Sequence, residues 1–466
     1  MASLDDAQVK SFVETAWPSI QSSLEEYITI ENQSPMFETD AVKAVATTEA
    51  VVALFSKWVT AQSVIGLKLE VVRAEGRTPL ILIEVPGTGQ AAHGTVLMYG
   101  HLDKQPPMTG AWGEGLHPYK AVLRDGKLYG RGGADDGYAV FGAVTALAAL
   151  DAQGVPRSRA VILIEASEES GSPDLPHYVS SLATRIGTPS LIVCLDSGCG
   201  NYEQLWITTS LRGLIGGTLR VSILKEAVHS GSSSGVVPSS FRIVRQVLSR
   251  IEDQDTGRVL LPQLWAPIPP ARSVEALATA VILGKSVYCN FPFLEGAGPV
   301  LFDPIALAAD HKTLAMRADK PAQTGAAEHA DLLLRRTWHP ALSVTGADGF
   351  PTLESAGNVL RTSTALKLSM RLPPRADAEV AGKAFKEALE ANPPCGAHVT
   401  YTPEKAASGW DAPKEAPWLT AAIADASAAA FDMPPAYFGE GGSIPFSECD
   451  CSAIGASPSA GASAAL

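Results

Sequence analysis

Hydrophobic and polar positions fall into two regimes along the chain. In the first half, short unbroken apolar runs alternate with longer stretches at helical spacing. Thr95–Tyr99, Val161–Glu165 and Leu191–Leu195 are rich in Val, Ile and Leu and meet no charge until their ends. Such runs predict strands covered on both faces. Between the first two, Tyr138–Ala152 predicts a helix, with Val140, Val144, Leu147 and Leu150 near helical spacing and Gly154 as its stop. Strand alternating with helix predicts an α/β domain around a mostly parallel sheet.

The regime changes after Leu211-Arg212-Gly213. In Thr218–Leu224, Leu219, Val221 and Ile223 alternate with Thr218, Arg220 and Ser222; Ala365–Leu372 alternates likewise. Strict alternation predicts a sheet with one solvated face. Phe241–Ile251 and Glu379–Leu389 read as amphipathic helices, the second stopped by Pro393-Pro394. Together they predict an inserted α+β domain over 211–408, within which the Pro- and Ala-rich stretch 255–340 gives no clear pattern. Residues 1–210 and 409–446 are then the two parts of the first domain. The Ser/Ala/Gly-rich tail 447–466 buries too little apolar surface to order itself and is expected to be disordered.

Composition narrows the function classes. A chain of 466 residues with 46% hydrophobic content is expected to form two globular domains. The formal charge of −13 disfavours nucleic acid, which selects basic surfaces. The start Met1-Ala2-Ser3-Leu4-Asp5-Asp6 has neither a basic nor an apolar leader region, and no run approaches the roughly 18 apolar residues of a membrane span. Six scattered cysteines are the usage of a reduced compartment, so a cytoplasmic protein without membrane partners is expected.

The candidate chemistry lies just beyond the three apolar runs. The first leads into Gly100-His101-Leu102-Asp103, the second into Glu168-Glu169, the third into Asp196, and Asp135 sits in a Gly-rich turn before the predicted helix. Each alone has a commoner structural explanation as a turn former, a cap or a solvated acid. Open parallel sheets, however, place ligands beyond the carboxyl ends of their strands. A His and several carboxylates converging there suit a divalent cation.

Met98-Tyr99-Gly100-His101-Leu102-Asp103-Lys104-Gln105-Pro106, Leu128 through Asp136 and Glu165 through Ser172 resemble the carnosinase-like dipeptidases. These belong to the two-zinc exopeptidases, with carboxypeptidases, aminoacylases and succinyl-diaminopimelate desuccinylase. The resemblance runs in order from about residue 20 to Pro445. It implies a zinc-exopeptidase domain carrying an inserted lid that also dimerises. It further implies that His101 and Asp196 hold one zinc, that Asp135 bridges, and that Glu169 holds the second. Asp103 would orient His101, and Glu168 would be the general base acting on a metal-activated water. His229 in the lid would donate to the oxyanion, across the interface in a homodimer. Asn358 and Arg371 would contact the substrate, and Gly442 and Ser443 in Gly441-Gly442-Ser443-Ile444-Pro445 would cradle its carboxylate. The substrate implied is a dipeptide or small peptide with a free carboxylate, or, as an alternative, an N-acyl amino acid. Manganese or cobalt would fit the same donors as zinc.

One departure stands out. The family's last zinc ligand is a histidine beyond the Gly-Gly-Ser-Ile-Pro loop, and this chain has no histidine after His398. The expectation is a weakened second zinc site, with Cys449 and Cys451 as poor substitutes, a C-terminus altered by truncation, frame shift or splicing, and a catalytically impaired homologue as a further alternative. Gly137-Tyr138, where many dipeptidases have Lys after the paired Asp, lies away from the ligands.

Overall fold

A computed structural model describes residues 4–89, 94–299, 325–444 and 461–465. The chain divides into two compact units: Met1–Thr209 with Ala412–Tyr437 and Ile444–Leu466, and Ser210–Asp411 with Phe438–Ser443. The Gly441–Ser443 segment therefore groups with the second unit, whereas the sequence pattern alone assigns 409–446 to the first.

The first unit opens with helices α1 (Asp6–Thr29) and α2 (Ala41–Thr60). Asp5 and Asp40 start them by accepting hydrogen bonds from first-turn amides that have no partner inside the helix. The strands that follow are β1 (Lys68–Val72), β2 (Leu80–Val85), β3 (Thr95–His101), the hairpin β4 (Val122–Arg124) and β5 (Lys127–Tyr129), β6 (Arg159–Glu165), β7 (Leu191–Cys194) and β8 (Trp206–Leu211). Helix α3 (Tyr138–Ala152) lies between β5 and β6, as its apolar spacing predicts. It is buried almost all round, including Val140, Phe141, Val144 and Leu147, because α1 and α2 pack on one side and β3 and β6 on the other. Tyr27, Val51, Phe55, Ile81, Ile83 and Ile162 complete this core.

The three unbroken apolar runs are the centre of the main sheet. The order β6-β3-β7 is parallel throughout, while β1 and β2 extend it antiparallel beyond β6. Of the tail expected to be disordered, 447–460 lies outside the described residues, as do Pro445, Cys449 and Cys451. Gly461–Ala465 departs from the expectation: it forms a strand, pairing parallel with β7 and antiparallel with β8. The reason is that ladder pairing draws on backbone groups, so a segment poor in apolar side chains can still fill a gap between two strands.

The second unit holds β9 (Gly213–Ser222), β10 (Val228–His229), β11 (Ala341–Asp348), β12 (Val359–Leu360), β13 (Ser363–Leu372), β14 (His398–Ala407) and β15 (Trp410–Asp411). Its main sheet is antiparallel in the order β11-β13-β9-β14. Leu219, Val221, Leu366, Leu368, Met370 and Leu372 point into its core, and Arg220 is exposed. The helices Ser240–Leu248 and Ala378–Glu390 cover that apolar face through Ile243, Val244, Ala381 and Phe385. Within 255–340, where the sequence shows no clear pattern, Pro270–Leu283 and Ala326–Trp338 are helices packed together through Ala276, Ala280, Ala330 and Leu333. The last strand before the C-terminal segment is Ala436–Glu440, which pairs with β8. No described helix is long and apolar enough to cross a membrane.

Candidate metal centre

Because β6, β3 and β7 are adjacent and parallel, the residues at their carboxyl ends come together. His101 closes β3, Glu168 and Glu169 lie in the short turn after β6, and Asp196 follows β7. Asp135 comes from the Gly133–Gly137 turn ahead of α3. The buried His101 is the common point. Its Nε2 lies 3.1 Å from Asp135 Oδ1, 3.9 Å from Glu168 Oε2 and 3.9 Å from Asp196 Oδ1. Two sets of donors result, His101–Asp135–Glu169 and His101–Glu168–Asp196, each with its atoms within 4.8 Å of one another.

Asp103 holds this arrangement from behind. Its carbonyl and its carboxylate lie 3.1 and 3.5 Å from His101 Nδ1, which leaves Nε2 to face the other acids. Asp103 Oδ1 accepts from the Glu168 amide and Oδ2 from the Glu169 amide, both at 3.1 Å. One buried carboxylate thus orients the imidazole and fixes the turn carrying two further acids, as the shells behind metal ligands commonly do.

The electrostatics show an excess of negative charge. Burial, together with the neighbouring carboxylates, pushes Glu168 up to about 10 and Glu169 up to about 8, and burial raises Asp196 to about 6. Burial also acts on Asp135, but the His101 hydrogen bond and charge outweigh it and bring that carboxyl down. For His101, burial opposes the imidazolium, yet Asp103, Asp135 and Asp196 prevail and raise it well above its usual range. Glu169 Oε1 is buried without a hydrogen-bond partner. Imidazole nitrogen and carboxylate oxygen crowded together, with one buried oxygen unused, are the donor set of a divalent cation such as zinc. The two sets share the single His101 Nε2, so that nitrogen serves one ion and a second would rest on carboxylates alone.

Three neighbours escaped the sequence reading. Asp136 is fully buried, accepts from the His101 amide through Oδ2 at 3.1 Å, and burial raises its carboxyl well above the usual range. Gln105 donates from Nε2 to Glu169 Oε2. Lys104 is fully buried and donates from Nζ to the carbonyls of Tyr27 and Ile30, both at 2.7 Å, at the end of α1. The Asp135-Asp136 doublet and the Lys104-Gln105 pair are visible in the sequence, but nothing local says which way each side chain turns.

The remaining candidates lie in the second unit. His229 is exposed in β10, and its Nδ1 accepts from the Gly231 amide at 3.1 Å. The Asn358 carbonyl accepts from the Ser230 amide at 2.8 Å, bringing it beside His229. Arg371 in β13 donates from Nη1 to Ser443 Oγ at 3.1 Å, and Gly442 accepts from the Arg212 amide at 3.0 Å. The structure therefore groups His229 with Asn358, and Arg371 with Gly442 and Ser443.

Comparison with known proteins agrees with this geometry. The family model described as peptidase family M20/M25/M40 matches residues 97–448. A cysteinylglycine-S-conjugate dipeptidase of Corynebacterium striatum is 28% identical over 349 residues, covering 74% of this chain and 68% of that protein. The Homo sapiens β-Ala-His dipeptidase is 27% identical over 316 residues, covering 67% of this chain. The chain spans only 56% of that human protein's length. Among solved structures, human carnosine dipeptidase 1 superposes with a TM-score of 0.71 at 20% identity, covering 99% of this chain and 92% of that one. A metallo-carboxypeptidase of Sulfolobus solfataricus gives 0.68 at 16% identity, covering 96% and 90%. These two likenesses speak to the fold, an α/β catalytic domain with an inserted lid.

Proposed function

The chain belongs to peptidase family M20/M25/M40, on the branch of the β-Ala-His and Cys-Gly dipeptidases, and from that premise we propose that it hydrolyses dipeptides or similar small amides bearing a free carboxylate. The observation that carries this reading is the pair of donor sets sharing His101. His101, Asp196, Asp135 and Glu169 would hold the zinc ions. Bound there, the ions would polarise the scissile carbonyl and lower the pKa of an attacking water toward ~7.

The chain's own side chains do the rest. Glu168, which burial and the neighbouring acids push up to about 10, would ionise once cation charge offsets that crowding, and would then take the proton of the attacking water and return it to the leaving amine. Its place next to Glu169 keeps it within reach of the same centre, and Asp103 sets the orientation of both by accepting their amides. His229, whose Nδ1 is occupied as an acceptor from Gly231, carries the proton of its neutral ring on Nε2 and so presents a donor for a developing oxyanion. Arg371 and the backbone amides of Gly442 and Ser443 would receive the terminal carboxylate, since the Ser443 hydroxyl is already given to the Arg212 carbonyl, and Asn358 would orient the substrate beside His229. A homodimer formed through the second unit would bring His229 to the partner's site, as the family resemblance implies.

The test is hydrolysis of a dipeptide panel set against N-acetyl amino acids, after measurement of zinc content by plasma mass spectrometry. About two zinc ions per chain with dipeptide cleavage supports the reading. Cleavage confined to N-acetyl amino acids moves the chain to the deacylases. One zinc or fewer, with no turnover of either class, points to an impaired homologue.

A further inference from the structure

Three arginines surround the Gly441–Ser443 loop of the second unit. Arg212, just ahead of β9, donates from Nε to the Gly441 carbonyl at 3.1 Å and from Nη1 to the His339 carbonyl at 3.4 Å. Arg371 donates to Ser443 Oγ, and that hydroxyl donates onward to the Arg212 carbonyl at 2.5 Å. Arg336, in the last turn of the helix Ala326–Trp338, approaches the same loop: a Cβ placed on Gly441 would lie 3.3 Å from its Cγ and 3.2 Å from Arg212 Nη2. Arg336 Nε is buried and has no hydrogen-bond partner.

What these three lack, among the described residues, is a counter-charge. Elsewhere in the unit Arg220, Arg272, Arg335 and Arg375 each pair with a carboxylate at 3.2 Å or less. Among the described residues Arg212, Arg336 and Arg371 have no such partner. Burial, with Arg371 and Arg336 close by, brings the Arg212 guanidinium down to about 10. Half-buried like charges without an anion are costly to keep, and arginine forks are shaped for carboxylates, which they grip in pairs of hydrogen bonds. One carboxylate satisfies one fork, so a single terminal carboxylate on Arg371 leaves the other two uncompensated.

We propose that this cluster selects substrates carrying a second carboxylate next to the terminal one, that is, amides whose C-terminal residue is glutamate or aspartate. The inference rests on the reading above, in which Arg371 and Ser443 receive the terminal carboxylate. Arg336, with its unused guanidinium face, and Arg212 Nη2 are the groups that meet the second carboxylate. Arg212 also holds the loop through two carbonyls and its own backbone, so Arg336 is the cleaner residue to test.

The experiment compares Ala-Glu with Ala-Gln and Ala-Asp with Ala-Asn, pairs that differ in charge and scarcely in shape. On the zinc-loaded full chain, kcat/KM should favour the acidic member by about 10- to 100-fold, a range expected for a hydrogen bond to a charged group. Most of the effect should appear in KM. Arg336→Met should collapse the ratio toward one, and Arg336→Lys should retain part of it. The same pairs are titrated calorimetrically into the Glu168→Gln chain, which reads the preference as a ratio of Kd values independent of turnover. Equal Kd values for Ala-Glu and Ala-Gln, or a ratio untouched by Arg336→Met, overturn the proposal. Selective binding without hydrolysis by the wild-type chain overturns the peptidase reading and leaves the acidic selectivity standing.

Discussion

Asp103→Asn is the substitution that best separates a positioned metal centre from a chance cluster of acids. Asp103 is 1% exposed and spends its two carboxylate oxygens on different amides, Oδ1 on Glu168 and Oδ2 on Glu169. Asparagine has the same shape but one acceptor oxygen. Whichever way its amide turns, one of the two backbone N–H groups meets an NH2. The loss of one charge-assisted hydrogen bond costs about 1.5–3 kcal/mol, and a buried donor left unpaired adds about 1–3 kcal/mol. Partial relaxation of the turn returns some of this, so a net destabilisation of about 2–4 kcal/mol is expected. Urea unfolding of chelator-treated wild type and variant reads that quantity without metal. The same turn carries Glu168 and Glu169, and Asp103 also faces His101 Nδ1, so zinc affinity by calorimetric titration should fall about 10- to 100-fold. A variant within about 0.5 kcal/mol of wild type, the usual range for inconsequential surface changes, and with unchanged zinc affinity, would refute the assignment of Asp103 as the residue that holds this site together.

Two further outcomes follow from contacts close to the same site. Gly100→Ala places a Cβ 2.4 Å from Ala139 Cβ and 2.7 Å from Asp136 Oδ2, and should cost about 1–3 kcal/mol through overpacking. Adding Ala139→Gly removes the main clash, so urea unfolding should show the double variant more stable than the two single effects predict by addition; strict additivity would argue against the packing. Lys104→Met probes a buried lysine brought down to about 7 by burial. Between about pH 7 and its ordinary value of 10.5, the unfolded chain binds a proton that the folded chain lacks, so stability rises with pH across that window. Wild type should therefore gain on the methionine variant by at most about 1.4 kcal/mol per pH unit from pH 7 to 10; thermal or urea stabilities that stay parallel over this range would contradict it.

The parts of this molecule legible in sequence are those where a periodic pattern and a strand end coincide. Thr95, Arg159 and Leu191 begin adjacent parallel strands, and unbroken apolar runs disclosed all three because both sheet faces are covered. The acids and the histidine at their ends were legible for the same reason, since the next residue after a buried strand is where the chain first meets solvent or a ligand. Asp136 was not legible: it follows Asp135 directly, yet one carboxylate faces the shared histidine and the other turns under the strand to the His101 amide. That division is set by the path of the turn, which carries no periodic signal. Lys104 was hidden differently. A lysine beside a site reads as a surface charge, and only the tertiary meeting of α1 with the loop after β3 supplies the carbonyls that hold it inside.

The grouping of Gly441–Ser443 with the second unit changes how specificity is to be understood. In sequence the loop belongs with the returning first domain, and its glycines suggest no more than a flexible anion cradle. In the structure its hydrogen bonds run to Arg212 and Arg371, on either side of the Leu372–Gly213 pairing of β13 with β9. The groups that would recognise the substrate's carboxyl end therefore rest on a rigid antiparallel sheet, as a site that must discriminate by charge requires. The acids that would hold a metal rest on a different support, the parallel strand ends of the first unit. Substitutions around Arg336 should accordingly alter which amide is chosen, whereas substitutions around Asp103 should alter whether the metal centre is held, and the two sets of effects should be additive unless the substrate itself couples them.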